Sequence, residues 1–333
     1  MWYESAIHYL FFVLEVATIA VAVVLAFGAI IGASIKAKGL KKGRLQVTPL
    51  NKTYQKNQHE IAKEALSKSA MKKLDKQHQL QAKALTKDKE AHKRLFVIDF
   101  HGDMKASQVE ALSQEVDAIL SIADKNKDSV LVRLESPGGV VNGYGLAAAQ
   151  LARIRHANIH LTVAVDQVAA SGGYMMASVA DKIIASPFAI IGSIGVIAQL
   201  PNLHRFLTDK GVDVELHTAG KYKRTLTMLG ENTDEGRQKF KQELEVVHKL
   251  FKTHITTYRP KLDIESVATG EYWFGTTALS LNLVDELMTS HAYLLDQYQQ
   301  EKCKLLHVKY HMKKSRFASV YHSAVKQLTK VGP

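Results

Sequence analysis

The sequence predicts an α/β fold: a parallel sheet covered by helices, preceded by a single amino-terminal transmembrane helix. Three observations carry this reading. Short apolar runs alternate with stretches of helical periodicity, as in strand–helix–strand units. Two Gly-Gly pairs fall where strands hand over to helices, and one long uncharged run stands at the amino terminus.

The uncharged run is residues 16–35, "VATIAVAVVLAFGAIIGASI". At 1.5 Å per residue it reaches roughly 30 Å, the hydrocarbon thickness of a bilayer. The apolar "YLFFVL" before Glu15 lets the helix start near Ala6, and Trp2, Tyr3 and Tyr9 suit an interfacial belt. A cleaved signal peptide fits less well, because no basic segment precedes the run and the run is too long. Residues 1–35 therefore read as a membrane anchor, with Glu15 near the helix end where it reaches the interface. Lys36, Lys38, Lys41, Lys42 and Arg44 follow the helix, which by the positive-inside rule puts the body in the cytoplasm. The same cluster can also hold anionic headgroups.

Charge is unevenly placed. Residues 36–94 carry 17 Lys and Arg against 5 Asp and Glu, and residues 302–333 carry 8 basic residues and no acid. Within a total of +12 the remainder is left at −8, so the body is acidic and its flanks are basic. A nucleic-acid-binding body would carry its basic stripe on the fold itself, and no nucleic-acid partner is expected. Residues 36–93 read as a basic helical or disordered tether, with a thin apolar stripe at Ile61, Ala65, Leu66, Ala70 and Leu74. That stripe has too few large residues to favour a coiled coil. Residues 291–333 read as a basic carboxy-terminal tail. The single cysteine, Cys303, excludes an intrachain disulfide.

The body, residues 94–290, opens with "RLFVIDF" (94–100), a buried-strand pattern. A helix over 106–123 follows, with Val109, Leu112, Val116, Ile119 and Leu120 on one face. "SVLVRL" (129–134) is a second strand, "LAAAQLARIR" a helix, and "HLTVAV" (160–165) a third strand. Right-handed crossovers then give a parallel sheet. "DKIIASP" and "DVELHTA" read as further short strands, and residues 234–258 as a long amphipathic helix.

Both Gly-Gly pairs lie where open α/β sheets bind ligands. In "SPGG", Pro137 sets the turn, and Gly138 and Gly139 bring bare backbone N–H groups close to a substrate, where they can hold an oxyanion. A plain tight turn is the alternative. In "ASGGYMMAS", Ser171 stands at the start of a helix running through Ala180. It is either an N-cap or a nucleophile favoured by the helix's positive end. The surroundings are not the G-x-S-x-G elbow. Ser/His/Asp signatures are absent, so the base must be sought elsewhere. A neutral lysine amine can serve a serine, and "AGKYKRTL" offers Lys223. An ordinary lysine ionises near pH 10.4, so such a base needs a dry setting. Ser193, in "IIGSIGV", is placed to orient the amine. On its own Lys223 is one surface lysine among many.

Together and in order, "SPGG", "VAASGGYMMAS", "IGSIGV" and "TAGKYKRTLT" resemble the signal peptide peptidase A family of membrane-anchored serine peptidases. The resemblance covers residues 94 to 290, and the amino-terminal anchor fits it. It implies a ClpP/crotonase-like fold and a Ser-Lys dyad, with Ser171 as nucleophile, Lys223 as general base and Ser193 holding the lysine. Gly138 and Gly139 supply oxyanion donors, with the N–H of Gly172 in addition. It further implies a homo-oligomer at the bacterial inner membrane, needing no metal or cofactor and cleaving peptides or unfolded segments, including signal-peptide remnants. The side of the membrane is left open, because the family's usual role favours the outer face. "GEYWFGTTALSLNLVDEL" resembles the family's closing motif, with Asn282 where glycine is usual; asparagine is the next-best residue for a left-handed cap. Competing readings are an acyl-CoA enzyme using the same glycines for an enolate, a catalytically silent membrane scaffold, and a basic tether that itself binds nucleic acid or anionic lipid.

Overall fold

The computed structural model describes residues 43–87, 93–299 and 303–312, with Leu14 and Thr18 singly. The predicted anchor, residues 1–35, lies outside the described residues but for those two. Among the described residues no helix is long and apolar enough to cross a membrane. The chain divides into two compact units, residues 45–309 and residues 1–44 with 310–333. In the smaller unit, the Gly43 N–H donates to Tyr310 Oη at 3.0 Å.

Along the chain, β1 (Arg44–Pro49), α1 (Leu50–Ala65) and α2 (Lys68–Lys87) precede β2 (Lys93–His101). Then come α3 (Val109–Leu120), β3 (Ser129–Glu135), α4 (Val141–His156) and β4 (His160–Val165), followed at once by β5 (Val168–Ala170) and α5 (Gly172–Ala177). β6 (Lys182–Ala185) and β7 (Ile190–Gly192) lead into an irregular stretch broken only by α6 (His204–Asp209). The chain continues through α7 (Asp234–Tyr258), α8 (Ile264–Val267), β8 (Tyr272–Phe274), α9 (Gly275–Ser280), β9 (Glu286–Leu287), α10 (Ser290–Gln299) and β10 (Cys303–His311).

Seven strands form the main sheet in the order β1-β10-β2-β3-β4-β6-β9, and from β10 to β9 every pairing is parallel. Because a parallel sheet is buried on both faces, its strands are apolar almost throughout. Phe96, Ile98 and Phe100 with Val130, Val132 and Leu134 join Leu112, Val116, Ile119 and Leu151 in one core. Leu95, Val97, Leu131, Ile184 and Leu305 meet Leu294, Leu50 and Tyr54 in the other. A second sheet, β5-β7-β8, has β5 parallel to β7 and β8 antiparallel.

The α/β reading, its strands at 94–100, 129–134, 160–165 and within 181–187, and its helix at 234–258 match the structure. Asn282 takes φ 59°, the left-handed angle expected of it. Three segments differ. The expected tether is helical over α1 and α2, as one of its two readings had it, but it also supplies strand β1, and α1 is docked. The stripe residue Ile61 is 71% exposed, while the buried positions are Asn51 and Ala62. The side-chain amide of Asn51 donates to Cys303 O at 3.0 Å and accepts from Leu305 N–H at 2.8 Å, taking the place of a neighbouring strand beside β10. The Tyr54 and Tyr298 rings stack at 4.8 Å. Nor do residues 291–333 form only a tail, since they hold β10 and all of α10 but its first residue. Finally, "DVELHTA" is irregular, because its apolar side chains meet no strand: Val214 and Leu216 are exposed, as is Val212 before them.

Asn51→Ala strands a buried carbonyl and a buried N–H together. It is expected to lower unfolding free energy by about 1–3 kcal/mol in urea titration. Wild-type stability would contradict the docking of α1.

Candidate active site

The end of β3 delivers the first half of the site. Ser136 forms a bridge to Ala169: its N–H donates to Val168 O at 2.8 Å, and the Ala170 N–H returns to Ser136 O at 3.0 Å. The Ser136–Gly139 turn therefore lies beside the junction of β5 and α5, where Ser171 sits.

Ser171 has φ 52° and ψ −118°, a combination that L residues avoid. Such a conformation costs on the order of 1–3 kcal/mol and persists only where the surroundings impose it. Here the Ser171 N–H donates to Gly192 O at 2.7 Å and its carbonyl accepts from Met175 N–H at 3.0 Å. Its side chain caps no helical N–H. Ser171 thus stands at the N-cap position without a side-chain capping bond. The helix is also shorter than expected, ending at Ala177 rather than Ala180.

Gly138 has φ 88°, and a Cβ there would stand 2.8 Å from Ala170 O, Gly172 N and Ser171 Cβ. The turn is thus pressed directly onto the serine. Its two amides differ. The Gly138 N–H donates to Ser136 Oγ at 3.1 Å, whereas the Gly139 N–H has no partner among the described residues. Gly172, first in α5, presents one of the N–H groups that a helix start leaves unpaired.

Ser193 lies one residue beyond the carbonyl that takes the Ser171 N–H. It is half-buried at φ 51°, and its own N–H donates to Glu271 O at 2.7 Å. Lys223 is exposed on the irregular stretch, with its backbone N–H on Gly220 O at 3.1 Å. Its amine has no ion-pair partner among the described residues. Lys221 differs: its Nζ lies 2.8 Å from Glu235, and that hydrogen bond holds its pKa above the ordinary value. Ser171, Gly138, Gly172 and the Gly192–Ser193 backbone are thus gathered in one place, and the lysine stands on the exposed loop.

No histidine bonds to Ser171 among the described residues. His254, on α7, reaches the helix that follows Ser171: its Nε2 donates to Met175 O at 3.0 Å, and burial lowers its pKa. No cluster of three or more His, Cys, Asp or Glu is poised to hold a metal among the described residues. Sequence reasoning passed over the Ser136 and Tyr144 side chains, whose hydroxyls meet at 2.6 Å beneath the turn. Ser136 stood inside a quoted motif, but no spacing rule pairs it with a tyrosine eight residues on.

A family model described as peptidase family S49 N-terminal matches residues 4–151, and one described as peptidase family S49 matches residues 153–304. The chain is 47% identical over 316 residues to a protein of Haemophilus influenzae named Probable protease SohB, covering 91% of this chain and 88% of that one. It is 54% identical over 243 residues to a protein of the same name from Buchnera aphidicola subsp. Acyrthosiphon pisum, covering 72% and 71%. Among solved structures, the 1510-N membrane-bound stomatin-specific protease aligns with a TM-score of 0.42 at 12% identity, covering 65% of this chain and 92% of that one.

Gly138→Ala would force a Cβ into backbone and a side chain into a left-handed angle. It is expected to destabilise by about 1–3 kcal/mol, seen as a lower melting temperature. An unchanged melting temperature would contradict the close approach of turn and serine.

Proposed function

The chain belongs to peptidase family S49, and from that premise we propose that it is a membrane-anchored serine endopeptidase working through a Ser171–Lys223 dyad. The observation that carries the nucleophile is the backbone angle of Ser171, with a hydroxyl that caps nothing at the start of a buried helix. Strain of this kind clusters where a side chain must be presented.

In the proposed cycle, neutral Lys223 removes the Ser171 proton as Oγ attacks a peptide carbonyl. The Gly139 and Gly172 N–H groups receive the oxyanion; Gly138, whose N–H is committed to Ser136, shapes the turn instead. The lysinium then protonates the leaving amine, and water releases the acyl group by the same route. Lys223 is preferred to Lys221 because Lys221 is held charged by Glu235.

A base of this kind must be kept dry. The stretch that carries Lys223 exposes Ile197 at 89%, Phe206 at 60% and Leu216 at 53%. An apolar surface of this extent is suited to burial against a second copy. The proposal is that assembly covers the loop, brings the amine to Ser171, with Ser193 orienting it, and encloses the site so that only extended segments enter. Residues 16–35 anchor the enzyme in the bacterial inner membrane, where peptides and signal-peptide remnants supply substrates; twenty uncharged residues support this.

A fluorophosphonate serine probe tests the dyad on the full-length chain. Wild type is expected to label, while Ser171→Ala and Lys223→Ala lose at least about 100-fold in rate. Equal labelling of all three would remove the mechanism, and no labelling of wild type would favour the silent scaffold. Peptide hydrolysis is also expected to rise about tenfold per pH unit below the pKa of the base and then level off, because the working form is the unprotonated amine. Activity falling as pH rises from 6 to 8 would exclude a lysine base.

A further inference from the structure

Two fully buried hydroxyls have no part in the acyl-transfer cycle, Ser136 and Tyr144. Their proton directions are dictated by the partner at one end. Tyr144 Oη lies 2.9 Å from Asp103 O, and a carbonyl only accepts, so the phenol's single proton is committed there. Ser136 Oγ, 2.6 Å from the phenol oxygen, must therefore donate to it. Ser136 in turn accepts the Gly138 N–H at 3.1 Å. The chain runs one way, Gly138 to Ser136 to Tyr144 to Asp103, with every proton assigned. Burial raises the pKa of the phenol and keeps it in its donating form.

The same tyrosine reaches the other oxyanion donor through its ring. A Cβ on Gly172 would lie 2.4 Å from Tyr144 Cγ, so the ring is the floor on which the start of α5 rests. The meeting of the hydroxyls also needs a glycine opposite: a Cβ on Gly102 would stand 2.2 Å from Ser136 Oγ and 2.3 Å from Tyr144 Oη.

We infer that Tyr144 is a positioning residue for the oxyanion pocket: through Ser136 it fixes the Gly138–Gly139 turn, and through its ring it fixes Gly172, so that the Gly139 and Gly172 N–H groups converge. Two consecutive glycines have more backbone freedom than any other pair. Amide donors accelerate acyl transfer only when already aimed at the forming charge. The hydroxyl chain supplies that aim without contributing a group to the reaction. The inference rests on the peptidase reading above.

The test uses the full-length chain in detergent micelles with a fluorogenic peptide. Tyr144→Phe keeps the ring under Gly172 and removes the hydroxyl. It is expected to lower kcat about tenfold, less than loss of a direct oxyanion donor, with KM within twofold of wild type. Ser136→Ala is expected to behave alike. The double variant is expected to be no more than twofold worse than the weaker single, because one break already opens the chain. Wild-type kcat in Tyr144→Phe, or losses that multiply in the double variant, would overturn the inference. So would a higher KM with kcat retained. If Tyr144→Phe does not fold, the kcat and KM of Ser136→Ala decide alone. Activity surviving in Ser171→Ala would sink the peptidase reading itself. An inactive Ser171→Ala beside a fully active Tyr144→Phe would sink only this inference.

Discussion

The site depends on one backbone torsion, the positive φ of Ser171. No sequence preference holds a serine there; the neighbours do. The Ser171 N–H is fixed to Gly192 O, and every residue of the six-residue helix behind it is buried. That carbonyl belongs to the last residue of β7 in the small sheet β5-β7-β8, and the bridge from Ser136 to Ala169 ties this sheet to the end of β3. The strain of one residue is thus offset by the packing of a whole domain, the usual way such angles survive.

The proposed nucleophile and the proposed base stand in different settings. The serine and the glycine turn sit beside buried elements, above a hydroxyl chain whose donors and acceptors are all matched. The lysine rides on a stretch whose apolar side chains face outward. This stretch ends at α7, whose start is well defined: Thr233 accepts the Gly236 N–H, and acidic residues occupy the first turn. In the proposed enzyme, the packed half is set by the fold of one chain and the exposed half by assembly.

Much of this was legible in the sequence, for reasons of periodicity. Buried parallel strands read as continuous apolar runs, so 94–100, 129–134 and 160–165 were plain, and a 25-residue amphipathic helix cannot be mistaken for anything shorter. What escaped was long-range. Asn51 looks like any polar helix residue until β10 arrives beside it from 252 positions away. Val212, Val214 and Leu216 alternate as a strand does, but alternation does not create a neighbour to pair with. Of the site, the residue types and their order were visible. The commitment of the Gly138 amide to Ser136 was not, because the serine hydroxyl is held by a tyrosine in the first turn of the helix that follows.

The place of β10 bears on how the chain is made. It lies inside the main sheet, between β1 and β2, and Cys303 pairs with Lys93. As synthesis proceeds from the amino terminus, β2 emerges with one edge bare and keeps it bare until residues 303–311 leave the ribosome. A bare strand edge is a template for mispairing, and contacts this remote in sequence form slowly. The sheet is therefore sealed only about 200 residues after β2 is made. A nonsense codon shortly before residue 303 would remove an interior strand and leave an open sheet where a folded body should be.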